Sequence, residues 1–380
     1  MELQTLTYGS GGWSEPIDVA NDSHDTLVLA FASPSFATEH TPFAQLRAAL
    51  PNAHILGCST AGEIHGSKVT DNSVVVAVVR FARTRLRTAT AHVREPSDSL
   101  AAGQAIGRAL AEPALRGVLV LSSGDGIGVN GSELVSGINE ILGGRVVVTG
   151  GLAGDGTRFE KTWVLDQDRP ESGVISAVGF YGDAIRIGHG SKGGWDPFGP
   201  ERTVTRSTAN VLYELDGQPA LDLYKRYLGD RAAGLPATGL LFPLALRTDP
   251  LGDKRLVRTI LAIDEAARTL TFAGDIPQGA LAQLMRANFD RLVEGAGDAA
   301  IMVDQRAGSG PVLSIAISCV GRRLVLGERV EEETEAVLDA YPPTVRQVGF
   351  YSYGEISPYS DGRCDLHNQT MTLTTIAEIS

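Results

Sequence analysis

Residues Ser97–Thr149 read SDSLAAGQAIGRALAEPALRGVLVLSSGDGIGVNGSELVSGINEILGGRVVVT. Apolar residues recur at helical spacing over Ser97–Ala111, and a short apolar run follows at Gly117–Leu121. A second helical pattern covers Ser132–Leu142, and a second apolar run covers Arg145–Thr149. This regular alternation of helix and strand predicts an α/β fold.

The residues upstream indicate that the sheets are mixed. Leu27–Ala32, Thr41–Leu50 and Ala53–Gly57 have the pattern of a strand, a helix and a strand. Val74–Phe81 and Arg85–Val93 follow as two strands joined by the short connection Ala-Arg-Thr. Such a short connection allows only antiparallel pairing, whereas a strand-helix-strand unit gives parallel pairing. We therefore expect mixed α+β sheets, with parallel and antiparallel strands flanked by helices.

The length of 380 residues exceeds one ordinary core and predicts two domains of roughly 100 to 200 residues each. Gly229–Pro250 is rich in Gly, Ala and Pro, so we place the boundary there and expect domains at residues 25–228 and 229–375. The other predicted elements are strands at 162–165, 174–181, 184–189, 203–207, 256–263, 269–272, 300–304, 312–318 and 347–353, and helices at 219–228, 279–294 and 331–340.

A short internal similarity links the two halves of the chain. Gly57–Ile64 reads GCSTAGEI and Gly349–Pro358 reads GFYSYGEISP, so each half has a strand that runs into a Gly-Glu-Ile turn. One interpretation is a duplicated architecture. The other is chance, because Gly-Glu-Ile is only three residues long.

Composition and charge exclude several classes of protein. Hydrophobic residues make up 43% and charged residues 21% of the chain, which are values of a folded globular protein. The formal net charge is −12, and no basic patch interrupts it. A negative field repels phosphate backbones and anionic lipid, so we expect neither a nucleic acid nor a membrane as partner.

The cysteines and the amino-terminal residues indicate the compartment. Cys58, Cys319 and Cys364 are too few and too widely spaced for a disulfide framework, which favours a reducing environment. Met1–Gly12 lacks the basic and apolar regions of a signal peptide, and Ala232–Leu246, one of the longest uncharged stretches, contains two prolines and two glycines. We therefore expect a cytoplasmic protein.

Gly57–Gly62 is similar to a nucleophile elbow but lacks its second glycine, because Ala61 stands two residues after Ser59. A turn at the end of a strand whose hydroxyls and amides line a pocket is the preferred interpretation. Cys58 would be a nucleophile only if a neighbouring group lowered the pKa of its thiol, and the alternative is a small core residue.

Two glycine clusters, Ser122–Gly128 and Gly150–Gly156, follow predicted strands. Neither has the glycine order of a dinucleotide-binding turn or the Lys-Ser/Thr of a P-loop. Glycines at the carboxyl end of a strand allow a ligand to approach the backbone, and open α/β sheets bind small molecules beyond such ends. The alternative is turn geometry alone, with Asp125 and Asp155 bonded to their own backbone.

Among the histidines, His189 and His367 lie in segments rich in functional residue types. Cys364-x-x-His367 is only half of a zinc site. A single histidine can be the proximal ligand of a haem, so both histidines are haem candidates, and a hydrogen-bonded histidine is the alternative.

Seven stretches carry more information together than singly. They are GCSTAGEI (57–64), GGLAGDG (150–156), RTVTRSTANVLYELDGQPALDL (202–223), GDIPQG (274–279), SCVGRRLVLG (318–327), GFYSYGEISP (349–358) and LHNQTMT (366–372). In this order they closely resemble the FIST family, bacterial sensory proteins in which a FIST N domain is followed by a FIST C domain. The resemblance covers about residues 25 to 375.

The resemblance implies a sensor of a small ligand that reports to a histidine kinase, a diguanylate cyclase or a chemoreceptor. Amino acids and their derivatives are the ligand class proposed for the family, and a branch that senses nitric oxide binds haem and regulates a kinase. The chain ends near the end of FIST C, so we expect signalling in trans, and a homodimer is compatible with it. An enzyme that uses Cys58 is the alternative to a sensor.

We expect the ligand pocket where the strand-end loops of the two domains meet. Glu63 and Glu355 would bind an ammonium group of the ligand, and the amides of Gly154–Gly156 would bind a carboxylate. The alternative is that both glutamates only hold turns. The expected ligand-binding residues are Cys58, Ser59, Thr60, Glu63, Gly154, Asp155, Trp195, Tyr353, Glu355 and Asn368.

Overall fold

The computed structural model describes residues 1–124, 128–249, 255–303, 310–359 and 362–379. Three residues of the first glycine cluster, 125–127, lie outside this part, as does residue 304 of a predicted strand. The described residues contain three copies of one arrangement of strands and helices, with an insertion in the third copy.

The first copy has a parallel strand pair at its centre. β3 and β4 are parallel, and β7 pairs antiparallel with both β3 and β1. Its elements are β1 (Glu2–Gly9), β2 (Gly12–Trp13), β3 (Thr26–Ala32), α1 (Thr41–Ala49), β4 (His54–Ser59), β5 (Glu63–His65), β6 (Lys68–Thr70) and β7 (Val74–Arg80).

The second copy repeats this pairing, but it has a helix between its first strand and its parallel pair, where the first copy has the short strand β2. β9 and β10 are parallel, and β13 is antiparallel to β9 and β8. Its elements are β8 (Arg85–His92), α2 (Ser99–Leu110), β9 (Leu115–Ser122), α3 (Gly131–Leu142), β10 (Val147–Leu152), β11 (Val164–Asp166), β12 (Arg169–Glu171) and β13 (Val174–Tyr181).

The third copy begins with β14 (Ile185–Lys192) and is then interrupted by residues 196–286, which we call the insertion. The insertion contains β15 (Asp196–Thr208), β16 (Val211–Leu215), β17 (Gln218–Pro219), α4 (Ala220–Leu228), β18 (Leu244–Arg247), β19 (Leu256–Arg258), β20 (Ile260–Asp264), β21 (Thr269–Phe272) and β22 (Leu281–Arg286). Its strands form a sheet of their own and enclose a separate apolar core.

The third copy resumes after the insertion. β23 and β24 are parallel, and β27 is antiparallel to β23 and β14. The elements are α5 (Phe289–Met302), β23 (Val312–Cys319), α6 (Val320–Leu326), α7 (Val330–Asp339), β24 (Val345–Ser352), β25 (Gly354–Pro358), β26 (Cys364–His367) and β27 (Met371–Glu378). Short 3₁₀ turns lie at 19–21, 34–37, 96–98, 143–145, 229–234, 237–241 and 327–329.

The three copies exchange hairpins in a closed ring. The sheets have the orders β12-β11-β4-β3-β7-β1-β2, β26-β25-β10-β9-β13-β8 and β6-β5-β24-β23-β27-β14. In each sheet the two strands next to the parallel pair come from another copy. The similarity between Gly57–Ile64 and Gly349–Pro358 therefore marks two of three copies, and GGLAGDG at 150–156 begins the corresponding turn of the remaining one.

This exchange joins residues that are far apart in the chain. Strands from both sides of residue 228 share the second and third sheets, because β25 pairs with β10 and β5 pairs with β24. The division into domains at 25–228 and 229–375 stays a prediction.

The core lies where the three sheets face one another. Alternate residues of β3, β9 and β23 point into one shared cluster, among them Phe31, Leu121 and Ile317. The outer faces are covered by α1, by α2 with α3, and by α5 with α7. Every residue of β3 and β23 is buried, because helices cover one face and other sheets cover the other.

Two predicted elements are wrong. The predicted helix Gly279–Glu294 contains β22 (Leu281–Arg286), because pairing with β15 and β18 overrides the helical preference of LAQLMR; α5 begins only at Phe289. The predicted strand Ala300–Asp304 is helical as far as Met302, because a short apolar run fits a buried helix as well as a strand.

Candidate functional site

A cleft of about 930 Å³ separates the insertion from the rest of the molecule. One wall is formed by the amino terminus of α3, by residues that follow β10 and by Tyr353. The insertion forms the other wall. The lining residues are 96, 124, 129–131, 152, 157–159, 209–210, 234–237, 240, 260–261, 272–275, 324 and 353.

The cleft forms where two copies depart from the common plan. In the first copy β4 ends at Ser59 and β5 begins at Glu63, whereas in the second copy β10 ends at Leu152 and β11 begins only at Val164. We call residues 153–163 the cleft loop, because Thr157, Arg158 and Phe159 line the cleft. The second departure is the insertion, which supplies the opposite wall. Both extra segments therefore face the same space.

Asp155 holds the cleft loop together. Its carboxylate accepts hydrogen bonds from the backbone amides of Phe159 (2.8 Å), Glu160 (3.1 Å) and Lys161 (3.0 Å). The hydroxyl of Tyr353 also donates to Asp155. Burial acts to raise the pKa of Asp155, but the hydrogen bonds from Tyr353 and the three amides outweigh it and leave the pKa below its ordinary value.

Phe159 is presented to the cleft by this loop. Its φ of 54° lies in the left-handed region, which is unusual for a bulky side chain. The ring stacks on Tyr353 with centroids 4.5 Å apart and an angle of 17° between the planes. Phe159 nevertheless remains 39% exposed. An aromatic ring is thus fixed on one face and open to the cleft on the other side.

Polar groups lie between the two walls. Asn130 caps α3 by accepting hydrogen bonds from the amides of Ser132 and Glu133, and its Nδ2 donates to Oδ1 of Asp275 in the insertion at 3.2 Å. Arg258 lies behind Asp275 and donates to its carbonyl oxygen at 3.1 Å. Burial lowers the pKa of Arg258 to about 10. These contacts connect the insertion to the amino terminus of α3.

Among the predicted ligand-binding residues, Tyr353 lines the cleft. Gly154 and Asp155 lie near the start of the cleft loop but do not themselves line the cleft. Gly154 packs so closely on Ala61 that an added Cβ would lie 2.9 Å from the backbone nitrogen of Ala61. Its amide donates to the carbonyl oxygen of Ser59 at 3.0 Å, so this amide is engaged by protein.

Cys58, Ser59 and Thr60 are buried at the end of β4 and do not line the cleft. Burial raises the pKa of the Cys58 thiol well above its ordinary value, which disfavours the nucleophilic thiolate. The hydroxyl of Ser59 accepts a hydrogen bond from the amide of Trp163 at 3.0 Å. Thr60 donates to Glu63.

Glu63 and Glu355 are fully buried and are enclosed by protein donors. Glu63 accepts hydrogen bonds from the hydroxyls of Ser33, Thr60 and Ser73. Burial raises the pKa of Glu63 to about 7 and that of Glu355 to about 8, so neither carboxylate is fully charged at neutral pH. Their proposed contact with a ligand ammonium stays a prediction.

Trp195 and Asn368 lie near the junction with the insertion. The indole of Trp195 donates to the carbonyl oxygen of Gln369 at 2.8 Å and packs in a small cluster with Met285 and Leu292. The side-chain amide of Asn368 is buried and has no hydrogen-bond partner among the described residues. Neither residue lines the cleft.

The two haem candidates are on different strands. Nε2 of His367 is 3.1 Å from the carbonyl oxygen of Ser357, and the ring stacks on Tyr359. His189 lies half-buried on β14, and burial lowers its pKa. Neither histidine lines the cleft. Cys364 and His367 are three residues apart on β26, so their side chains leave opposite faces of the strand and do not converge on one metal ion.

One further group of metal-ligating residue types lies at the seam between two sheets. Nitrogen and oxygen atoms of His92, Asp166 and Glu171 lie within 4.8 Å of one another. His92 and Glu171 are exposed, and exposed carboxylates of this kind are common without a metal. The group is outside the cleft lining.

Sequence reasoning missed most of the cleft. Phe159, Asn130 and Asp275 were not predicted as ligand-binding residues, and neither was any residue of the insertion. Asn130 followed by Gly-Ser-Glu before a helix is a capping pattern that indicates a helix start at this position. The sequence gives no comparable signal for the conformation of Phe159.

Comparison with known proteins identifies the class of the molecule. A model of the FIST N domain matches residues 26–218, and a model of the FIST C domain matches residues 220–358. The chain therefore belongs to the FIST family, as its motifs predicted, and FIST domains are sensory domains implicated in signal transduction.

Comparisons with individual proteins do not narrow the function further. No curated protein matches the chain. Among solved structures, the crystal structure of cyanuric acid hydrolase from A. caulinodans is 10% identical, with a TM-score of 0.38, over 100% of this chain and 99% of that one. A similarity at this level carries no functional argument. Within the described residues, no helix combines the length and the apolar character needed to cross a membrane.

Proposed function

We propose that this protein is a sensor that binds a small molecule in the cleft between the insertion and the ring of sheets. The observation that carries the proposal is that two departures from the threefold plan, the cleft loop and the insertion, line the same space. Additional chain that lines a cleft, rather than a copy of the common plan, is where a specific function is expected.

The proposed signal is a change in the position of the insertion. Ligand groups that contact both walls would favour a closed arrangement over an open one, and a partner would respond to the difference. The partner would be a histidine kinase, a diguanylate cyclase or a chemoreceptor on a separate chain, so that the signal passes in trans. The ligand would be amino-acid-like and would be bound without turnover, since the buried thiol of Cys58 is poorly suited to nucleophilic attack.

The test is a thermal-shift screen of amino acids and small metabolites, followed by calorimetry. A ligand at a hundred times its Kd stabilises the native state by about 2.7 kcal/mol. The variant Ala237→Trp fills the cleft, because Ala237 is an exposed lining residue. Ala233→Trp is the matched control, because Ala233 is exposed in the preceding turn but does not line the cleft.

We expect at least one compound to stabilise the protein, and we expect Ala237→Trp but not Ala233→Trp to abolish the effect. A ligand that binds the Ala237→Trp variant as tightly as the wild type would place its site elsewhere and overturn the proposal.

The family resemblance also raised a more specific alternative, in which the protein binds haem and senses nitric oxide. The geometry does not favour it, because Nε2 of His367 is engaged with Ser357 and neither histidine lines the cleft. A visible spectrum of the purified protein, before and after addition of haemin and washing, decides the matter. A stoichiometric Soret band that is lost in His189→Ala or His367→Ala would establish haem.

A further inference from the structure

We infer that the cleft binds an aromatic carboxylate, whose planar ring stacks on Phe159 and whose anionic group faces Arg158. This inference rests on the proposed function, because it names the ligand class of the same cleft.

The ring of Phe159 carries the first part. Tyr353 covers one face of it at 4.5 Å, and the residue is 39% exposed within the lining of the cleft. Leu324, another exposed large hydrophobic residue, also lines the cleft. Exposed apolar groups gathered in a cleft mark a binding surface. A ligand ring on the open face would extend the existing stack by one member, in the offset geometry that aromatic pairs prefer.

The opposite wall of the cleft is apolar, which fits a flat apolar ligand. The insertion contributes Leu235, Leu240 and Leu261 to the lining. A planar ring between these side chains and Phe159 would contact both walls at once. Ligand binding would in this way draw the insertion toward the cleft loop.

The rings of Phe159 and Tyr353 are held rigidly, which favours stacking of a ligand ring. Asp155 receives three successive amides of the cleft loop and the hydroxyl of Tyr353, so one carboxylate fixes both rings of the stack. The left-handed conformation of Phe159 is held by these bonds. A ring that is fixed before binding loses little conformational freedom when a ligand arrives.

The charges in the cleft give the second part. Among the described lining residues, Arg158 is the only cation and Asp275 is the only anion. Asp275 already accepts a hydrogen bond from Asn130. The side chain of Arg158 is 56% exposed, and its Nε is 3.7 Å from a carboxylate oxygen of Asp155 that also accepts hydrogen bonds from two backbone amides. The guanidinium therefore has donors available for an anion beside the exposed ring.

The test uses three probes of similar size: 3-phenylpropionate, 3-cyclohexylpropionate and 3-phenylpropylamine. The first two share the carboxylate and differ in aromaticity, and the third reverses the charge. Calorimetry on the full chain measures each affinity. We expect 3-phenylpropionate to bind roughly 2- to 10-fold more tightly than its saturated analogue.

Two variants separate the contributions of ring and charge. Phe159→Leu should bring the ratio of the affinities for the aromatic and the saturated probe to about one. Phe289→Leu is its control, because Phe289 is an exposed phenylalanine outside the cleft lining. Arg158→Gln should weaken both carboxylates roughly 2- to 5-fold and should not weaken the amine, whereas Lys161→Gln, an exposed neighbour outside the lining, should change none of the affinities.

The outcomes distinguish this inference from the proposed function. Equal binding of both carboxylates, abolished by Ala237→Trp, would overturn the aromatic platform and leave the cleft as a ligand site. Binding of the amine but not of the acids would overturn the assignment of Arg158. If no compound of any class binds in the cleft, the proposed function fails and this inference fails with it.

Discussion

Glu63 and Glu355 occupy equivalent positions in two of the three copies and share three hydrogen-bond donors of the same kind. Each accepts a hydrogen bond from the hydroxyl three residues earlier, Thr60 for Glu63 and Ser352 for Glu355. Each also accepts hydrogen bonds from the amide and the hydroxyl of the residue that precedes the antiparallel strand, Ser73 or Thr370. The two carboxyl groups thus tie together the strand ends of their copies.

The raised pKa values of these two carboxyl groups predict that stability falls as the pH rises. The unfolded chain loses these protons near the ordinary glutamate value of 4.5, whereas the folded chain keeps them to about pH 7 at Glu63 and about pH 8 at Glu355. Between these limits the folded state binds more protons, so the free energy of unfolding decreases with increasing pH. Deprotonation of the two groups should together lower the free energy of unfolding by several kcal/mol across this window.

Replacement of both glutamates by glutamine should remove this slope. A glutamine amide can accept from the backbone amide and donate to the neighbouring hydroxyl, as the protonated acid does. We expect Glu63→Gln/Glu355→Gln to match the wild type at pH 5 and to exceed it in stability at pH 8, as measured by urea unfolding. Glu328→Gln, at an exposed position, is the control. An unchanged slope in the double variant would show that other groups set the pH dependence.

The same double variant tests the predicted ammonium contact. If either carboxylate binds a ligand ammonium, the variant should lose affinity for an amine ligand that the wild type binds. Calorimetry with a ligand from the thermal-shift screen measures this. If the variant binds the amine as tightly as the wild type does, neither glutamate contacts the ligand, and both only stabilise their turns.

Three glycines allow the parallel strands of the copies to approach each other. An added Cβ would lie 1.9 Å from the carbonyl oxygen of Val120 at Gly150 and 1.8 Å from that of Ala316 at Gly349. At Gly57 the corresponding distance, to the oxygen of Ala30, is 2.4 Å. We expect Gly150→Ala and Gly349→Ala each to destabilise the protein by about 1–3 kcal/mol or more. Gly9→Ala, where a Cβ meets nothing within 4 Å, should leave the midpoint of urea unfolding unchanged.

Much of the fold was predictable from local patterns. The strand-helix-strand units and the mixed sheets follow from apolar periodicity and from the length of connections, which are local properties. The hairpin exchange is not local, since it pairs Glu63 with Phe350 and Glu355 with Gly151. The second copy is not recognisable from this motif, because the long cleft loop replaces the Gly-Glu-Ile turn in it.

The site was predictable only in part. Glycine at strand ends predicted a place where a ligand can approach, and of Gly154, Asp155 and Tyr353 only Tyr353 lines the cleft. The role of these residues in ligand binding stays a prediction. The conformation of Phe159 depends on Asp155 and on Tyr353, which is distant in sequence, so no local pattern predicts it. The insertion wall is formed largely by apolar residues such as Leu240, whose types are common in any core.

The hydrogen bonds of Asp155 predict a second effect of pH, with the opposite sign. Because the pKa of Asp155 is lowered in the folded state, its contribution is present above the ordinary aspartate value of 3.8 and is lost as the pH falls through the folded value. Asp155→Asn removes one acceptor for the loop amides and should cost about 1–3 kcal/mol. Faster hydrogen exchange of the amides at 159–161 should accompany it at pH 7. Unchanged exchange would show that the loop does not depend on this carboxylate.

Arg322 ties both connections of the insertion to the third copy. Its guanidinium donates to the carbonyl oxygen of Gly193 before the insertion and to that of Leu292, at 2.7 Å, after it. It is fully buried with Glu333, which accepts from Arg322 at 2.9 and 2.7 Å and from the hydroxyl of Tyr351 at 2.7 Å. The buried ion pair therefore fixes the base of the element that we propose to move.

Removal of one partner of this pair leaves the other charge buried and should cost about 3–5 kcal/mol. We expect both Arg322→Met and Glu333→Gln to lower the midpoint of urea unfolding strongly, and we expect the double variant to lose less than the sum of the two. Arg322→Met should also increase hydrogen exchange at 193–195 and 288–292, because it alone removes the bonds to Gly193 and Leu292. Additive losses, with exchange at these segments unchanged, would show that Arg322 does not couple the insertion to the ring of sheets.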